Sequence, residues 1–297
     1  MILNQKRLFI YLKIIIKLSI FSIVLKDNRF VVGSSSNIII YNNKTFKPDL
    51  IIKEHDSSIN SLRQLSSGIL ASCSDDKTIK LFQINNNSYL VKQTLNEHES
   101  GICGIIEINN NRLVSCSKDN SILFYLKNDN KYEKEYKFQT EGECWNIIQT
   151  KDNEICFSDY KNGTHSICFY NLEERKIINK INNINVSEVN CFNIIANDLL
   201  LINGIYNLYI ININNKSLAR VIKVPDSGYI IGFCPLNKNY FLTGDSKRKI
   251  KQWKIEGDNL KLISTKENAH DTTIWTLLKL GDGHILSGAF FSCIKIW

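Results

Sequence analysis

Two stretches of the chain align without a gap. His55–Phe82 ends in Leu70-Ala71-Ser72-Cys73-Ser74-Asp75-Asp76-Lys77-Thr78-Ile79-Lys80-Leu81-Phe82. His98–Tyr125 ends in Leu113-Val114-Ser115-Cys116-Ser117-Lys118-Asp119-Asn120-Ser121-Ile122-Leu123-Phe124-Tyr125. In each, a histidine precedes an aspartate by 21 residues, and the pair recurs after 43. Self-similarity at such a period marks an array of supersecondary units that bury their apolar faces against one another. Outward from these stretches the same grammar continues: an apolar run, a Ser/Gly-rich run, a polar turn, then Ile-x-x-aromatic. The closing positions are Tyr41, Phe82, Tyr125, Tyr170, Ile211, Trp253 and Trp297, separated by 41, 43, 45, 41, 42 and 44 residues.

The chemistry within each unit is that of β-strands. Thr78–Ile84, Ser121–Leu126 and Ile167–Tyr170 concentrate residues suited to a pleated, half-buried surface. Asparagine-rich turns such as Asn85-Asn86-Asn87 and Asn109-Asn110-Asn111 separate them, and asparagine tolerates a left-handed backbone. A further strand follows most closing positions: Tyr89–Leu95, Tyr132–Phe138, Lys176–Ile181, Leu218–Val224 and Leu260–Thr265. That makes four short strands per repeat, and no amphipathic helical period is sustained long enough to compete.

These residues resemble the WD-repeat family. The carriers are Glu54-His55 and Glu97-His98, the Ser-x-Ser-x-Asp of Asp76 and Asp119, and the terminal Lys295-Ile296-Trp297. The resemblance implies an all-β, seven-bladed propeller of four-stranded blades around a central channel. The expected blades are 17–55, 56–98, 99–141, 142–184, 185–226, 227–270, and 271–297 joined by 6–13. It is uneven: only repeats two and three hold both His and Asp. Repeat seven has His270 but Phe291 at the aspartate position, repeat six has Asp226 at the histidine position and Lys247 at the aspartate position, and repeat four has extra residues near Lys161–His165. Repeat five is the most degenerate.

The family's blades hydrogen-bond a histidine, a Ser/Thr, an aspartate and a tryptophan, so His55, Asp76, His98 and Asp119 are expected to be structural. A catalytic dyad would not need repeating at the blade period. The last repeat stops at its third strand, and the preceding pattern leaves Lys6–Lys13 in the place of an outer fourth strand. Those residues are expected to pair with blade seven and close the ring. Leu8–Leu25 is apolar enough to suggest a membrane anchor. However, Lys13 and Lys17 interrupt it, and each would cost about 2.5–3.5 kcal/mol at a bilayer centre, so the segment reads as two strands.

Composition bounds the rest. The 297 residues are 43% hydrophobic, too apolar for a disordered chain. The formal charge of +8 is scattered, its densest cluster being Lys247, Arg248, Lys249, Lys251 and Lys254. A nucleic-acid binder concentrates charge on one stripe, so neither nucleic acid nor membrane is the expected partner, and a propeller binding nucleic acid or anionic lipid through these basic loops is the alternative reading. Nine cysteines show no CxxC and the histidines no zinc-ligand spacing. The expectation is no metal, no cofactor, reduced thiols and a cytoplasmic or nuclear setting. No Ser/His/Asp set or phosphate-cradling loop points to an enzyme.

The resemblance implies a protein-binding scaffold or adaptor, monomeric within a larger complex, whose partners meet the face carrying the loops into each first strand. Carried over by position, the contact residues are Ser58, Asn60 and Asp75 in repeat two and Gly101, Cys103 and Lys118 in repeat three. Repeat four gives Cys144 and Asn146, repeat six Tyr229, Ile231 and Ser246, and repeat seven Thr273, Trp275 and Phe290. Ile59, Ile102, Trp145, Ile230 and Ile274 should point into the sheet packing, by the period-2 alternation of a strand. Tyr229, Ile231, Trp275 and Phe290 gather on adjacent repeats six and seven, where aromatic anchors would mark an interface.

Overall fold

The computed structural model describes residues 19–109, 111–184, 192–196, 198–224, 226–289 and 294–297. Among them every regular element is a strand, and the strands form seven antiparallel sheets. The chain is an all-β, seven-bladed propeller. Blade one runs from strand Ser19–Val24 to Pro48–Ile52, blade two from Ile59–Gln64 to Tyr89–Leu95, and blade three from Ile102–Ile108 to Lys131–Gln139. Blade four runs from Ile147–Lys151 to Lys176–Ile184, blade five from Phe192–Ala196 to Ser217–Lys223, and blade six from Ile230–Asn237 to Asn259–Lys266. Each holds four strands in simple meander order, so every neighbouring pair is joined by a hairpin. Blade seven shows three described strands, from Ile274–Lys279 to Ile294–Ile296. Residues 6–13, the expected fourth strand, lie outside the described residues, as does most of Leu8–Leu25; Ser19–Val24 is a strand.

The alternation of each strand explains where the core sits. A blade buries both faces, one against each neighbour, so the buried residues sort into seven clusters between successive blades. Between blades three and four, Phe124 stacks on Tyr136 at 4.1 Å between centroids, and Phe138 meets Tyr170 at 4.6 Å. The closing residues Tyr41, Phe82, Tyr125, Tyr170, Ile211 and Trp253 are all buried. Truncating such an aromatic costs about 3–5 kcal/mol.

The ring closes between the chain's ends. Phe30, Val32, Tyr41 and Phe46 of blade one share a core with Leu280, Leu286, Ile294 and Ile296 of blade seven. Ser22 and Thr276 bond through their hydroxyls at 2.7 Å across the same seam. The extra residues of repeat four lengthen one hairpin: Glu154–Lys161 pairs with Thr164–Asn171 through a two-residue turn. Asn162 and Gly163 have φ of 52° and 81° there, the left-handed pair that suits the twist of a tight hairpin.

Candidate functional site

In blades two, three, six and seven, the corner where the loop enters the first strand and meets the turn between strands two and three carries a polar network. In blade two, His55 Nδ1 bonds Asp76 Oδ2 and Nε2 bonds Ser72 Oγ, both at 2.6 Å. Asp76 also accepts from Thr78 Oγ1 at 2.6 Å and from the Asp56 amide at 3.1 Å. Blade three repeats this: His98 meets Asp119 at 2.7 Å and Ser115 at 2.8 Å, with Ser121 and the Glu99 amide on the carboxylate. Burial works to raise the Asp76 and Asp119 pKa values, but for Asp76 the bonds from Thr78 and His55, and for Asp119 those from His98 and Ser121, outweigh it and hold both below the ordinary value. Burial lowers that of His55. Both imidazoles are sealed from solvent, so the pairs clamp loops.

Blade six builds the corner from other residues. Asp245 accepts from Ser227 Oγ at 2.9 Å and pairs with Lys251 Nζ at 3.1 Å, all three being buried. Trp253 Nε1 donates to Thr243 Oγ1 at 2.9 Å. In blade seven, His270 Nε2 bonds Ser287 Oγ at 2.6 Å, and Ser287 accepts from Trp297 Nε1 at 2.7 Å. The basic cluster of 247–254 is largely paired within the chain: Lys249 with Glu267, Lys251 with Asp245 and Lys254 with Glu256. Lys247 and Arg248 remain exposed at the turn.

Register identifies equivalent positions at the channel mouth. Leu62, Ile105, Phe233 and Leu277 lie opposite Ser72, Ser115, Thr243 and Ser287, and Ile147 lies opposite Phe157. Two residues earlier stand Asn60, Cys103, Ile231, Trp275 and Trp145. All but Asn60 line a central cavity of about 550 Å³, walled by first strands of all seven blades. Asn60 turns sideways and donates to Asp75 Oδ1 at 2.8 Å and to the Ile102 carbonyl at 3.0 Å. Asp75 pairs with Lys118 at 3.0 Å, and Lys118 lies 5.0 Å from the Trp145 ring centre. A chain of contacts thus runs from blade two to blade four.

This corrects the expectations in blade four and at one position of blade six. Trp145 does not point into the sheet packing; it stands at the mouth, and Cys144 takes the buried place. The loop entering this blade is one residue shorter than in blade three, because the amide of Gly142 turns onto Asp159 Oδ1 at 2.7 Å. Asn146 and Ile231, expected exposed, are buried, at 7% and 6%. Ile59, Ile102, Ile230 and Ile274 are buried as expected. Ser58, Asn60, Asp75, Lys118, Thr273 and Trp275 are half-buried, and Phe290 lies outside the described residues. Tyr229 is open, at 49%.

Sequence reasoning missed Tyr206. It is 58% exposed on blade five, and its amide donates to the Gly228 carbonyl at 3.1 Å. A bridge pairs Ile205 with Tyr229, so the segments that carry the two exposed tyrosines run next to each other at the junction of blades five and six. The degeneracy of repeat five hid it, since no histidine or aspartate there marks the position.

A model of the WD domain, G-beta repeat, matches residues 46–83 and 90–125, within the two best-formed repeats. Those two segments are similar to the WD repeat, and the whole chain has the seven-bladed propeller fold. No curated protein sequence matches it. A chain in the crystal structure of a mitotic checkpoint complex superposes with a TM-score of 0.77 at 13% identity, covering 95% of the propeller and 86% of that chain. As many as 1614 chains of known structure match, so the likeness specifies the fold and not a partner. No helix of the described residues is long and apolar enough to cross a membrane.

Proposed function

We propose that the propeller is a protein-interaction scaffold or adaptor, and not an enzyme, docking partners on the face that carries the loops into each first strand. The observation that carries this is the pair Tyr206 and Tyr229, both open to solvent on adjacent blades and both fixed by backbone bonds. Rigid aromatic side chains are the commonest anchors of protein interfaces. Trp275 and Thr273 on blade seven, and Ser58, Asn60, Asp75 and Lys118 on blades two and three, form the rest of the contact set. Asn146 and Ile231 lie beneath it and Phe290 remains a candidate contact. The chain acts as a monomer within a complex, in the cytoplasm; seven described cysteines, unpaired and mostly buried, support a reducing setting. Three of the five basic residues of the 247–254 cluster are paired within the chain, which favours a protein partner over nucleic acid or lipid. The test compares proteins co-purifying with the wild type and with Y206A/Y229A and W275A. Loss of the specific set at unchanged melting temperature is expected; full capture by folded variants overturns the reading.

A further inference from the structure

The central cavity has an uneven chemistry. Of the described side chains that line it, the ionisable ones with a charge at neutral pH are Lys26 and Arg63, with no aspartate or glutamate among them. The Lys26 ammonium donates to the Ser66 carbonyl at 2.6 Å. Arg63 has no hydrogen bond or ion pair among the described residues. Its side chain is accessible from the cavity yet walled by protein, and this burial pushes its pKa down against the pull of Glu107. Glu107 itself is engaged by the amide and hydroxyl of Ser66, at 2.6 and 2.8 Å.

Two further donors line the same cavity. Trp145 Nε1 and Asn193 Nδ2 are both buried and have no partner among the described residues. Both orphaned groups are donors, as is the guanidinium. An orphaned buried donor costs about 1–3 kcal/mol, which an occupant rich in acceptors would recover. Register places them. Arg63 pairs with Ala71 and Asn193 with Leu201, each one residue beyond the equivalent positions Leu62 and Phe192. Arg63 and Asn193 therefore lie at one level on blades two and five, across the ring. Trp145 lies three residues nearer the mouth, about 10 Å along the strand. The remaining wall mixes apolar side chains, including Ile23, Ile148 and Phe233, with uncharged polar ones such as Ser61 and Gln64. A volume of about 550 Å³ falls within the range of ligand-binding cavities.

We propose that the central channel is a binding site for a carboxylate-bearing ligand, its charge met by the guanidinium of Arg63 and its remaining acceptors by Asn193 and Trp145. A guanidinium offers the planar fork that a carboxylate fits bidentately. Around the mouth the charged groups are Lys118, Asp75 and Glu143, the first two paired with one another. The site does not depend on the tyrosine pair of the docking face, so the two readings fail separately.

The probes are a blocked tetraglutamate peptide, its tetraglutamine counterpart and free glutarate, titrated by calorimetry against the full chain. Tetraglutamate should bind, weaken with added salt, and lose at least tenfold in affinity in R63Q; N193A and W145F should each lose a few-fold. W145F keeps a ring at the mouth while removing the indole donor. Melting curves for R63Q, whose parent side chain makes no hydrogen bond or ion pair among the described residues, should match the wild type. Glutarate binding as tightly as the peptide would identify a free small carboxylate as the ligand; peptide preference would identify an acidic segment. Equal binding of tetraglutamine, binding of none of the probes, or unchanged affinity in R63Q overturns the proposal.

Discussion

Blades three and seven share a histidine, a serine and a buried corner, yet differ in how completely that corner is bonded. In blade three both nitrogens of His98 are engaged, one by Ser115 and one by Asp119. In blade seven Ser287 accepts from Trp297, which directs its own proton to His270 Nε2 and leaves Nδ1 carrying a proton without a partner among the described residues. Blade three adds an aspartate and lacks the indole; blade seven has the indole and no aspartate in its described corner. Each blade thus keeps the histidine–serine link and satisfies the rest differently. The lesson is that the interblade cores specify the propeller, while the corner network sharpens individual blades.

The largest expected effect concerns what completes blade seven. If residues 6–13 supply its outer strand, removing residues 1–14 should expose the edge of Ile294–Ile296. A fall in Tm of about 10 °C, or self-association seen by sedimentation, is expected; unchanged melting would break the idea of a ring closed by the N-terminus. Next comes Asp119→Ala, which strands His98 Nδ1, the Glu99 amide and the Ser121 hydroxyl together. A loss of about 3 kcal/mol in denaturant titration is expected. Lys251→Met in blade six should cost less, about 2 kcal/mol, because Asp245 keeps Ser227 and the amides of Lys247 and Lys249.

The smallest effect is the most specific to blade seven. Burial, helped by Lys295, lowers the pKa of His270 from 6.5 to about 4. Below pH 6.5 the unfolded chain therefore binds more protons than the folded one, and stability falls as the pH drops toward 4. His165 contributes with the same sign, its pKa lowered by burial from 6.5 to about 4. His270→Gln should cost under about 1 kcal/mol at pH 7 and flatten the decline in Tm between pH 7 and pH 5. An unchanged slope would show that His270 is not the group being protonated.

The fold was legible because its signal is repeated. Closing residues from Tyr41 to Trp253 are core positions, and a core tolerates only apolar side chains there, so the period survives where the histidines do not. Blade four was misread because counting forward from a histidine position assumes a loop of fixed length, and the Gly142 turn onto Asp159 shortens it. Blade six was opaque for another reason. Its corner uses Ser227, Asp245 and Lys251, none at the linear position of the residue it replaces, since a long lysine reaches where a short aspartate cannot. The cavity's donors left no trace in sequence at all: Arg63 and Asn193 are 130 residues apart and line one cavity only because the first strands of all seven blades wall it.

The turns carry a different implication. Lys77, Asn120 and Arg248 occupy one equivalent place, after strand two of blades two, three and six, with φ of 70°, 61° and 66°. An L-residue with a β-carbon is held there against a cost of about 1–2 kcal/mol. Asparagine bears it more lightly than lysine or arginine, because its short polar side chain can bond locally. The propeller is therefore built below the ceiling of its own architecture: two exposed side chains, touching no core and no channel, hold back a heat tolerance that glycine in their place would release.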